Sequence, residues 1–381
     1  MKKFEPKNDL PMMSTKEGVV LFHPHIPKNA ISNVTDTLSS RWIGQGPKVD
    51  AFEEKFHQKF HQIGTCHAVG SGTDALHLAY ILAGISEGDE VLTPLFTCTA
   101  TNIPLLYLGA KPVFVDINPQ TMNISIDDLK RKITPKTKAI VCVHYGGLPC
   151  DMAEIHELAE EYQIPVIEDA AHAVGAKYDG KNIGAISQYT MYSFQAIKHI
   201  TTGDGGMLTI SDPEKSDKAN RIRWFGIDRK GKQGGIWEND IREIGYKYQM
   251  TDISAAMGLA ALDEFDDVLS HRQELYALYK DLLKNNANVM VVDDNHIKKE
   301  HAAWLFTIRV KNRLALQDKL RANGIESGQT HYRNDRYSIF SPQGPFPGMD
   351  EVDDQYLVLP LHTKVSSDNV LKICKLINEG W

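Results

Sequence analysis

The stretch P-V-I-E-D-A-A-H-A-V-G at residues 165–175 decides how the chain is read. Its first half is a short apolar, β-branched run of the kind that forms a buried strand, and it ends on two acids, Glu168 and Asp169. A carboxylate at the end of a buried strand is costly unless a partner meets it. Working outward, similar runs recur at 91–93, 112–115, 139–143, 189–194 and 207–210. Between them lie stretches with apolar residues at helical spacing, such as 73–83 and 152–162. Strand alternating with helix requires crossover connections, so the fold class is α/β, a mostly parallel sheet flanked by helices. In such sheets ligands gather outside the carboxyl ends of the strands, which is where the two acids fall.

The pattern changes in the last third. A helical pattern runs from 260 towards 284, followed by strand-like runs at 289–292 and 303–310 and a helix at 312–322. A Gly/Pro/Asp-rich stretch at 341–354 leads to a last helix at 367–377. This predicts a large α/β domain over 1–260 and a smaller α+β domain over 261–381, in keeping with the two or three domains that 381 residues suggest.

Composition narrows the function. With 42% apolar and 24% charged residues the chain is ordinary for a folded protein, which excludes disorder. A net charge of −7 argues against nucleic acid as a partner. No apolar run approaches the ~20 residues of a membrane span, and the opening M-K-K-F-E-P-K has no apolar core for a leader. The five cysteines (Cys66, Cys98, Cys142, Cys150, Cys374) are scattered and read as reduced thiols, so a cytoplasmic location is expected.

Three segments could carry chemistry. In A-V-G-S-G-T-D-A-L, Gly72 and Thr73 stand where a strand-like run gives way to a helix, and the free N–H groups of a helix start attract phosphate; a plain capped turn would look the same. In the opening stretch, Asp169 is followed by His172; a helix-capping acid and an ordinary polar residue would also account for them. In Y-S-F-Q-A-I-K-H-I-T-T-G-D-G-G, Lys198 sits in a tight loop among turn-formers, as a reactive amine would, and as a surface lysine could. Together they are informative. Phosphate cradle, acid and lysine at the strand ends of one sheet are the groups that pyridoxal phosphate needs: a Schiff-base lysine, an acid that keeps the ring nitrogen protonated, and N–H groups for the phosphate.

With these segments in view, the chain resembles the DegT/DnrJ/EryC1/StrS family of pyridoxal-phosphate-dependent sugar aminotransferases. The resemblance runs from W-I-G-Q-G-P-K-V-D-A-F-E-E-K-F at 42–56 through S-G-T-D-A-L, G-D-E-V-L-T-P, H-Y-G-G-L-P-C-D-M, E-D-A-A-H-A and G-Y-K-Y-Q-M-T-D-I-S-A-A-M-G to the closing helix. It implies a fold-type-I, aspartate-aminotransferase-like enzyme whose active sites form at a homodimer interface. By the same resemblance Lys198 matches the Schiff-base lysine, Asp169 the partner of the pyridine nitrogen, and His172 the residue beside the ring hydroxyl. Gly72, Thr73 and Ser193 match phosphate positions, and Lys247 the group that reaches the phosphate from the other subunit. Two departures stand out. Cys98 occupies the place of an aromatic residue that stacks on the ring, leaving either Cys98 or Phe96 to cover it, and Gln249 stands where relatives often carry an arginine.

The implied reaction moves an amino group from L-glutamate to a keto group of a nucleotide-linked deoxysugar, as in the building of lipopolysaccharide and other surface polysaccharides. The I-T-T-G-D-G-G loop favours carbon 4 over carbon 3. The alternatives are a dehydratase of the same fold, in which a histidine replaces the lysine, and a non-catalytic binder of cofactor or sugar. Lys198 argues against the first, and the lack of a basic extension against the second. His331, Tyr332, Arg333 and Arg336 resemble a substrate-facing loop but read equally well as a solvated charged segment.

Overall fold

The computed structural model describes every residue except 1–3, 5, 8, 62 and 239. Residues 1–3 and 5, part of the opening read above for a leader, therefore lie outside the described residues. The core is a seven-stranded sheet: β1 (Thr65–Val69), β2 (Glu90–Pro94), β3 (Lys111–Val115), β4 (Thr137–Val143), β5 (Val166–Asp169), β6 (Tyr189–Ser193) and β7 (Gly206–Ile210), in the order β1-β7-β6-β5-β4-β2-β3. Neighbours from β6 through β3 pair in parallel, and β7 alone runs against both of its neighbours. The expected mostly parallel sheet is thus present.

Strand alternation sorts the side chains into two layers. Ile140, Cys142 and Val166 face a core built with Phe52, Phe56 and Phe194, while Ala139, Val141 and Ile167 face one built with Leu76, Leu78 and Tyr80. Consecutive residues at the end of β5 therefore point to opposite faces. Asp169 shares the side of Ile167, towards helix α1 (Gly72–Leu82), and Glu168 shares the side of Val166.

A second sheet of three antiparallel strands, β8 (Val289–Val291), β9 (Phe306–Val310) and β10 (Tyr356–Leu359), packs with helices Arg313–Ala322 and Ser367–Asn378 around its own core. We propose that residues 261–381 form the smaller unit. The N-terminal segment is laid along it: the N–H groups of Met13 and Leu21 donate to the Glu326 carboxylate (3.0 and 2.7 Å).

Three elements differ from expectation. The helical pattern from 260 to 284 is two helices, α3 (Asp252–Asp263) and α4 (Phe265–Leu283), broken at Glu264, whose carboxylate accepts from the Lys28 N–H and contacts His25 Nε2 (both 2.9 Å). The run 303–310 becomes strand only from Phe306, because Ala303 takes a left-handed conformation (φ 53°) and the Trp304 N–H docks on the Gly146 carbonyl (2.9 Å). Strand β10 was not anticipated; four apolar residues after a turn-rich stretch do not tell strand from helix. Among the described residues no helix is long and apolar enough to cross a membrane.

Candidate active site

Lys198 lies in the loop that joins β6 to β7. The loop is tied by backbone bonds from Phe194 N–H to the Gly205 carbonyl (2.8 Å) and from Thr202 N–H to the Phe194 carbonyl (2.9 Å). Its side chain is buried, 9% exposed, which for a lysine demands an explanation. Among the described residues no carboxylate forms an ion pair with it. Instead Nζ lies 3.7 Å from the centre of the Trp304 ring. Burial pulls its pKa down to about 7, against the charges of Asp169 and Cys98, which favour the ammonium. A free amine near neutral pH is what nucleophilic and proton-moving lysines require.

Asp169, 4% exposed, ends β5 and acts electrostatically on this amine. Its Oδ2 accepts from the Thr101 hydroxyl (2.7 Å), itself joined to Thr97 Oγ1 (2.8 Å), and Oδ1 accepts from the Ala171 N–H (3.1 Å). Burial raises its pKa, while Thr101, Ala171 and Lys198 work the other way. Its neighbour Glu168 has a different task. On the opposite face it meets His144 Nε2 (2.9 Å) and accepts from the Ser187 N–H and the Thr190 hydroxyl (both 3.1 Å). Burial pushes Glu168 up, yet these bonds, His144 first, hold it below the ordinary carboxylate range. Glu168→Ala would strand His144 and two further donors, and we expect unfolding to become easier by about 3–5 kcal/mol in a denaturant titration.

His172 stacks on Trp304 (ring centres 3.8 Å apart, 13° between planes) and on His331 (5.1 Å, 12°). The Gly146 N–H donates to its Nδ1 (3.3 Å), so its proton sits on Nε2, which faces Nε2 of His331 at 3.2 Å. Burial keeps both rings neutral, His172 well below its usual pKa and His331 at about 3.

Gly72 opens α1, whose cap is the Ser71 hydroxyl accepting from the Asp74 N–H (3.0 Å). A Cβ on Gly72 would stand 3.1 Å from Ser193 Cβ and from Met191 Sδ, so the helix start and Ser193 are brought together with Thr73 next in line. Cys98 is exposed at the start of α2 (Thr99–Tyr107) and acts electrostatically on Lys198. Phe96 is buried among Tyr145 and Tyr356. Lys247 lies on a segment that meets the end of β1, where Val69 pairs with Gln249 and the Gly70 N–H donates to the Tyr248 carbonyl (2.7 Å); its Nζ lies 5.2 Å from the Phe225 ring centre and, with the Gln249 amide turned to satisfy its donors, 2.6 Å from that oxygen. Arg333 is taken up by Asp335 and Asp350.

The structure thus gathers Lys198, Asp169, His172 and Cys98 into one group and sets Gly72, Thr73 and Ser193 together at the start of α1. Thr101 and Trp304 are additions that sequence reasoning missed. Thr101 lies three residues beyond Cys98, and its helical spacing from Thr97 is the one signal the sequence offers. Trp304 was absorbed into a strand.

The fold is α/β, and the ends of its central strands carry a buried amine, a buried acid and a helix start. Comparison with known proteins gives the family. Residues 24–378 match the DegT/DnrJ/EryC1/StrS aminotransferase family, and the chain belongs to it. It is 36% identical over 368 residues to GDP-perosamine synthase of Escherichia coli O157:H7, covering 95% of this chain and 98% of that protein. It is 33% identical over 387 residues to UDP-4-amino-4-deoxy-L-arabinose–oxoglutarate aminotransferase of Shewanella sediminis (96% and 98% covered). Among solved structures, Spr1654 of Streptococcus pneumoniae in its PLP form superposes with a TM-score of 0.89 at 28% identity, covering 95% of this chain and 98% of that one. The protein is an enzyme of this aminotransferase class, with pyridoxal phosphate as its cofactor. The residues present fit that cofactor: a buried amine that among the described residues pairs with no carboxylate, a buried acid within its electrostatic reach, and a helix start whose glycine is packed closely against Ser193 and Met191.

Proposed function

We propose that the enzyme transfers an amino group from L-glutamate to the carbon-4 keto group of a nucleotide-linked deoxysugar. The observation that carries the reading is the buried Lys198 amine beside Asp169 at the end of β5. Lys198, Asp169, His172, the N–H groups of Gly72 and Thr73, and Ser193 would hold the cofactor, with Cys98 as the side chain next to its ring. Bound there, pyridoxal phosphate supplies an electron sink that makes the C–H beside a donor's amino group acidic and stores the amino group between half-reactions. Lys198, released as a free amine, would take the proton from the donor carbon and deliver it to the cofactor carbon. Asp169 answers a positive ring nitrogen, which in turn favours its own ionised form.

Support for carbon 4 and for glutamate comes from the Shewanella relative, whose name states a 4-amino sugar and oxoglutarate, the keto acid of glutamate. The two relatives carry different nucleotides, UDP and GDP. The dehydratase reading loses support because His199 does not take the lysine's place: it is buried with Nε2 on the Ala302 carbonyl (2.7 Å).

The reading includes a homodimer in which Lys247 of one copy serves the phosphate of the other. The segment around Lys247 exposes Phe225, Trp237, Ile241 and Ile244, apolar surface that a second copy would cover. Incubation with L-glutamate and nucleotide-linked 4-keto or 3-keto sugars, followed by NMR of the product, tests the position. A new C–N bond at carbon 4 is expected; amination only at carbon 3 would refute that choice.

A further inference from the structure

Trp304 reaches Lys198 from the far part of the chain and is fixed on three sides. Its Nε1–H donates to the carbonyl of Ile197 (3.1 Å), the residue just before the lysine. Its own N–H donates to the Gly146 carbonyl (2.9 Å), and its carbonyl accepts from Arg272 Nη1 (3.3 Å). The indole is 2% exposed. Its anchoring bonds therefore involve no atom of the lysine side chain.

We propose that the face of Trp304 is the resting place of the Lys198 amine whenever its nitrogen is not bound to the cofactor, which makes Trp304 a positioning residue for the reaction. The argument is electrostatic. A buried ammonium needs a partner, and a contacting carboxylate would hold it too firmly for an amine that must leave and return. An indole face attracts the cation through its quadrupole, the strongest of the aromatic side chains, without taking its proton. The other groups acting on Lys198 are Asp169 and Cys98, which favour its charge, and Arg272, which opposes it. His172, His199 and His331, also within its field, are neutral rings. The bond to Ile197 sets the register between ring and amine. Because the same indole stacks on His172, one side chain positions the lysine and the residue proposed for the ring hydroxyl.

The inference rests on Lys198 being the reactive amine, and its test needs neither donor nor sugar. Full-length protein freed of cofactor is prepared with ordinary tryptophan and with tryptophans carrying increasing numbers of ring fluorines at all five positions. Fluorine withdraws π density and changes shape little. The protonation constant of Lys198 is read from the pH dependence of its acetylation by acetic anhydride, peptide by peptide. It is expected to fall stepwise along the series, by roughly threefold to thirtyfold in all, and the Trp304→Phe chain should show no such dependence. A constant that fluorination leaves unchanged, or one that moves equally in the Trp304→Phe chain, would overturn the proposal. If fluorinated protein fails to fold, Trp304→Phe against Trp304→Leu decides it: Phe should retain part of the effect and Leu none, and equal constants would count against the proposal. Either failure is separable from failure of the aminotransferase reading, which is judged by reaction with glutamate.

Discussion

Lys198→Ala is expected to abolish the yellow colour that the protein acquires with pyridoxal phosphate and to lower amino transfer by more than about a thousandfold. The effect is large because one amine does two things: it holds the cofactor covalently and it moves the proton. Alanine removes both. The fold should survive, since among the described residues the side chain makes no ion pair and its loop is closed by the backbone bonds of Phe194, Thr202 and Gly205. Thermal unfolding of the variant beside the absorption spectrum separates lost chemistry from lost structure. A variant that keeps its colour would show that another amine holds the cofactor.

Asp169→Asn is the second large effect, and it should look different. Asparagine nearly preserves shape, and its carbonyl oxygen can still accept from Thr101 or Ala171. What disappears is the negative charge, hence the incentive for a ring nitrogen to stay protonated. Turnover is expected to fall by roughly a hundredfold to a thousandfold, while Lys198 still captures the cofactor and the colour persists. Relieving a buried carboxylate should not destabilise the fold, because burial already works against its charge. Turnover within a fewfold of the parent would mean that Asp169 does not face the ring.

The contrast between these acids shows how far the sequence could be read. V-I-E-D announced a buried strand ending in two carboxylates, and alternation alone requires them to face opposite ways. Which of them faces Lys198 and which is a structural anchor depends on His144, Ser187 and Thr190, contributed by other segments. The central sheet was legible because each strand is a local apolar run between helical patterns. The lysine loop was legible because turn residues crowd it. Trp304 was not, since its significance comes from Ile197, Gly146 and His172, which are distant in sequence and invisible to periodicity. Thr101 was missed for a similar reason: a threonine in a helix becomes a carboxylate partner only when β5 is laid beside it. The break at Glu264 also escaped notice, because the apolar spacing continues through it and the carboxylate's partners, His25 and Lys28, come from the other end of the chain.

The account turns on Lys198 and Asp169 serving amino transfer from glutamate, and the most direct measurement is the visible spectrum of the protein loaded with pyridoxal phosphate. Adding L-glutamate should bleach the yellow band, and adding a nucleotide-linked 4-keto sugar to the bleached protein should restore it. A band that neither L-glutamate nor other amino donors can bleach would contradict the account.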